Sequence, residues 1–87
     1  MSLHRGPASS IHSIPRSQVL EELEKLDQHI ADCGQRIEEQ KERVKSIRGT
    51  GRNSEDSEYL LGNLVSSLGA LYQLREIVVQ ELEDADR

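Results

Sequence analysis

Val19, Leu23, Leu26, Ile30, Cys33, Ile37, Gln40, Val44 and Ile47 follow one another at alternating steps of four and three. This spacing keeps side chains on one seam of an α-helix, and a seam this narrow has to be covered by a second helix. The second stripe is Leu61, Leu64, Leu68, Leu71, Arg75, Val78 and Leu82, with the same stepping. Between the two lies "IRGTGRNSEDSE", which carries the signals for ending one helix and starting another. Gly49 can take the left-handed conformation at the end of the first helix, Lys45 and Arg48 suit its negative end, and Gly51 opens the turn. Asn53 or Ser54 caps the second helix, and Glu55, Asp56 and Glu58 meet the positive end of its dipole.

The pattern therefore predicts an all-α fold: an antiparallel, coiled-coil-like hairpin occupying residues 17–87. Its first helix is expected at about 17–48, its turn at 49–53 and its second helix at about 54–83. The first helix would be roughly 48 Å long at the standard rise. Laying the stripes antiparallel about that turn sets Ile47 against Leu61, Gln40 against Leu68, Cys33 against Arg75 and Leu26 against Leu82. Residues 1–16, "MSLHRGPASSIHSIPR", combine Gly6, Pro7 and Pro15 with several serines and no apolar period, and are expected to form a flexible tail.

Composition bears on what such a hairpin can do. An 87-residue chain makes one small domain, a size at which oligomerisation adds useful stability. A net charge of -5 disfavours general binding to nucleic acid or to an anionic membrane. No apolar run approaches the ~18 residues of a membrane span. The single cysteine forms no intrachain disulfide, which points to a reducing compartment with the cytoplasm as the expected location. The acid-free, Ser-rich stretch from Met1 to Leu20 shares features with an organellar transit peptide, but such peptides are amphipathic and richer in Arg.

One cluster could carry chemistry. In "LDQHIADCGQRI", His29, Asp32 and Cys33 fall within one helical turn. As a nucleophile, Cys33 would need an activated, accessible sulfur, which His29 and Arg75 could assist. As a metal half-site, His29 and Cys33 would need a symmetry copy to complete four ligands. The simplest reading is that Cys33 is a small side chain filling a core position. Gln40, Cys33 and Arg75 then form polar layers of the seam, with Arg75 leaning out to an acid such as Asp32 and fixing register. Gly-rich phosphate loops, paired catalytic carboxylates and aromatics interleaved with basic residues are missing from the pattern. We therefore expect no enzymatic activity, no cofactor and no metal.

The second helix is more apolar than one neighbour can cover. Val65, Tyr72 and Val79 stand on one flank of its stripe, Leu60 and Leu74 on the other, and Gly62 and Gly69 lie close to the Val65 flank. Interior glycine costs a helix about 1 kcal/mol relative to Ala and is better tolerated where another backbone comes near. The expected interface residues are thus Leu60, Gly62, Val65, Gly69, Tyr72, Leu74 and Val79, the expected partner is a second copy, and the assembly is a homodimeric four-helix bundle. A further protein partner, of unknown identity, is also expected. The alternative is a nucleic-acid-linked accessory protein using Lys41, Arg43, Lys45, Arg48 and Arg52 at the hairpin tip.

"HIADCGQRIEEQ", with "GRNSEDSEYLLGNLVSSLGALYQLREIVVQEL" after it, resembles a family of short uncharacterised bacterial helical-hairpin proteins. The matching positions are His29, Ile30, Ala31, Asp32, Gly51, Ser54, Leu60, Leu61, Ser67 and Leu68, within about residues 19 to 83. That family implies a helical hairpin and brings no known activity. Cys33 departs from its pattern, which has a small residue there.

Overall fold

The computed structural model describes residues 15–85, and the expected tail lies almost wholly outside them. Two helices, α1 (Arg16–Gly49, 34 residues) and α2 (Glu55–Ala85, 31 residues), pack against each other as an antiparallel hairpin. There is no strand among the described residues, and no described helix is long and apolar enough to cross a membrane. At the standard rise the two helices are about 51 and 46 Å long.

Each boundary has a local cause. Pro15 stands just before α1 in an extended conformation (φ -62°, ψ 142°), and its carbonyl accepts from Gln18 N (3.0 Å) and Val19 N (3.3 Å). Proline is suited to a helix entrance because it brings no amide hydrogen that would go unpaired. At the other end, the left-handed residue is Gly51 (φ 75°), not Gly49, which stays helical. The Gly51 amide donates to Arg48 O (3.0 Å) and the Arg52 amide to Ile47 O (3.2 Å). This pair of bonds is the Schellman closure, which needs its positive-φ residue one place beyond the C-cap, and Thr50 is the C-cap. Thr50 also returns its hydroxyl to Ile47 O (2.7 Å). Nothing obliges Gly49 to leave the helix, so the turn forms two residues later than the first glycine suggests.

The α2 entrance divides the capping work. Asn53 Oδ1 accepts from the Glu55 amide (2.9 Å), while the buried Ser54 donates its hydroxyl to Glu58 Oε2 (2.5 Å). Glu58 also binds the Arg48 guanidinium through Oε1 (2.5 Å), tying the last turn of α1 to the first turn of α2. These hydrogen bonds from Ser54 and Arg48 hold the Glu58 carboxyl below its usual pKa.

The seam follows the stripes. Val19, Leu26, Cys33, Ile37, Gln40 and Val44 of α1 are buried, and Val78 of α2 is the most completely covered apolar residue at 4% exposure. Val19, Leu26 and Val78 form one cluster with Leu23, Leu71 and Leu82 packed against it, near the end of the hairpin away from the turn.

The register differs from the expected one by about a heptad, every α1 residue facing an α2 residue nearer the turn. Gln40 donates from Nε2 to Ser57 O (2.9 Å) instead of facing Leu68, and Cys33 Sγ lies 3.5 Å from Leu64 O instead of facing Arg75. Arg75 reaches Asp27 (Nε to Oδ1, 2.7 Å) and not Asp32. Two stripes of the same period match equally well when slid by one repeat, so only the turn decides between the registers. Because the turn is tight, Ile47 comes level with the entrance of α2, where Ser54 is buried, and not with Leu61.

Candidate interaction surface

The cluster around Cys33 has the geometry of packing. Cys33 is 8% exposed, and its thiol points at a helical carbonyl of α2. His29 and Asp32 are exposed and line a shallow groove with Cys33, Arg36, Leu64, Ser67 and Leu71, and Asp32 accepts from Gln28 Nε2 (3.1 Å). Among the described residues no group of three His, Cys, Asp or Glu side chains is placed to hold a metal ion. The three expected polar layers are separate. Gln40 is buried and paired with a carbonyl, Cys33 packs two turns away along the seam, and Arg75 is half-buried with its charge on Asp27 at the edge. That ion pair holds the Arg75 pKa above its usual value.

At the tip, the cations are partly engaged. Arg48 is bound to Glu58, and Lys41 to Glu38 (3.1 Å). Lys41, Lys45 and Arg48 line a second groove with Val44, Glu58, Leu61 and Gly62.

The seven expected interface residues divide between two sides of the hairpin. Gly62 belongs to the groove of Lys41 and Arg48, and Val65, Gly69, Tyr72 and Val79 follow it along the same side of α2 at helical spacing. Leu60 and Leu74 lie one heptad before and after Ser67, which lines the opposite groove beside His29 and Cys33. One neighbouring helix cannot cover both sides. Val65 is 50% and Tyr72 52% exposed, while Val79 is half-buried. A Cβ added at Gly62 or Gly69 would meet nothing within 4 Å, so the hairpin itself gives no reason for either glycine. On α1, Leu20, Asp27, Gly34, Lys41 and Arg48 form one column at heptad spacing on the Val65 side. Leu20 is 43% exposed, and its place in that column extends the apolar flank onto α1, which the pattern of the α1 stripe alone does not reveal.

No family model, curated protein or solved structure matches this chain.

Proposed function

We propose that this chain is a non-enzymatic helical assembly module, working in the reducing cytoplasm and self-associating through the Val65 side of α2. The observation that carries the reading is the exposed row of Val65 and Tyr72 beside two glycines that have open space above them. Apolar rows of this kind on a thin domain mark contact surfaces. The thinness supports it further, since no large side chain among the described residues is less than 2% exposed. Two helices enclose a core on one side each, and a second pair would close it. A single buried, free thiol suits a reducing location.

Tyr72→Glu tests the proposal. Tyr72 is half-exposed and lies outside the seam, so the variant should keep the helical circular dichroism of the wild type while sedimenting as a monomer. A wild-type protein that stays a folded monomer at about 50 µM by equilibrium sedimentation would overturn the self-association reading.

A further inference from the structure

The Val65 side of the hairpin is not uniform along its length. At the turn end, α1 presents Lys41, Lys45 and Arg48, and α2 presents Glu55, one heptad before Gly62. In the middle stand uncharged residues, Val65, Gly69 and Tyr72 of α2 with Gly34 of α1. At the far end come Asp27 on α1 and, one and two heptads beyond Gly69, Glu76 and Glu83 on α2. Glu58 offsets Arg48, Glu38 offsets Lys41 and Arg75 neutralises Asp27, but Glu76 and Glu83 are exposed and Lys45 has no ion-pair partner among the described residues.

A two-fold axis lying in this surface can run either along the hairpin or across it. Along the hairpin, the copies are parallel, and Glu76 and Glu83 of each meet their own equivalents. Across it, the copies are antiparallel: Glu76 of each lies over Gly62 of the other, Glu83 over Glu55, the Lys41 and Lys45 end of each α1 over the Asp27 end of the other, and the uncharged middle meets itself. The first arrangement opposes Glu55, Glu76 and Glu83 to their own equivalents, whereas the second opposes only Glu83 to Glu55 and sets the α1 cations over Asp27, so charge favours the second. We propose that the partner on this surface is a second copy bound antiparallel, with the axis crossing near Gly69 and the two α2 helices in direct contact. This rests on the self-association reading above and adds its face and its polarity.

In this arrangement Gly62 of one copy lies beside Glu76 of the other, because each is one heptad from Gly69. Equivalent residues are held apart: two copies of Gly62 would be separated by about 21 Å, three times the ~7 Å limit on Cα separation for a disulfide. The test uses the full chain with Cys33→Ala, carrying either Gly62→Cys or Glu76→Cys, one of the two with an affinity tag. Gentle oxidation is followed by non-reducing electrophoresis, with sedimentation of each variant alongside. Covalent dimers from the mixture, and essentially none from either variant alone, support the antiparallel pairing. Dimers from each variant alone show a parallel pairing and overturn the inference while leaving self-association intact. A sedimenting dimer that yields no cross-link places the contact on another face, and overturns the inference as well. Variants and wild type that are all monomeric remove the self-association reading itself.

Discussion

Cys33 is buried in the seam although His29 and Asp32 stand close to it in sequence. His29, one turn before it, and Asp32, its neighbour in sequence, are exposed, while Cys33 lines the same groove from a buried position with its Sγ toward Leu64 O. The proposed role of Cys33 is volume, so Cys33→Ala should give a folded hairpin less stable by about 1 to 2 kcal/mol, read from urea denaturation. Rapid modification of the native thiol by an alkylating reagent would contradict that assignment. Glu58 is the more consequential residue, because it joins the helices at the turn through Ser54 and Arg48. Its carboxyl binds a proton less readily in the folded hairpin than in the unfolded chain. Its contribution is therefore whole above the usual value of 4.5 and is lost as pH falls through the lowered folded value. Glu58→Gln should remove that part of the acid sensitivity, so that urea midpoints of wild type and variant converge as the pH is lowered to about 3. The carboxylate is largely in water, and added salt should shrink the difference at neutral pH.

At the scale of the elements, the stripes are legible because period is a local property. They lead to helices at about 17–48 and 54–83, where the structure has Arg16–Gly49 and Glu55–Ala85. What they leave open is relative sliding, since a shift by one repeat puts apolar residues opposite apolar residues again. The choice was written in the turn, in hydrogen bonds from Gly51 and Arg52 that spacing does not display. The Asp27 partner of Arg75 follows from the register and was hidden with it. The exposed column headed by Leu20 was hidden for another reason, because the flank of one helix gains meaning only when the side it shares with the other helix is known. The two glycines of the turn offer a direct check. Gly51→Ala forces a side chain into positive φ and should cost about 1 kcal/mol. Gly49→Ala, in a right-handed helical position with open space around it, should stabilise by up to about 1 kcal/mol. Thermal melts would separate them, and opposite signs would place the left-handed residue at Gly49.

For the whole molecule, the distribution of apolar contact matters as much as its amount. The layers next to the turn are partly polar, with Ser54 and Gln40 buried there. The six-residue apolar cluster built on Val19, Leu26 and Val78 lies toward the open end. A hairpin whose best contacts were near its turn would zip from there and fray progressively outward. Here, the residues that meet last in sequence separation are also those that gain most by meeting. The entropy of closing the intervening chain rises only slowly with its length, by about 0.6 kcal/mol per doubling. Partial zippering from the turn thus has little to hold it, and the ends have reason to close with the rest. Opening should then be concerted, and amides flanking Leu26 and Val78 should exchange with deuterium as slowly as those around Ile37 and Val44. A steady loss of protection with distance from Gly51 would show a zipper instead. By this account the cluster farthest from the turn works as a clasp, and the long arms of the hairpin form and come apart as one cooperative unit.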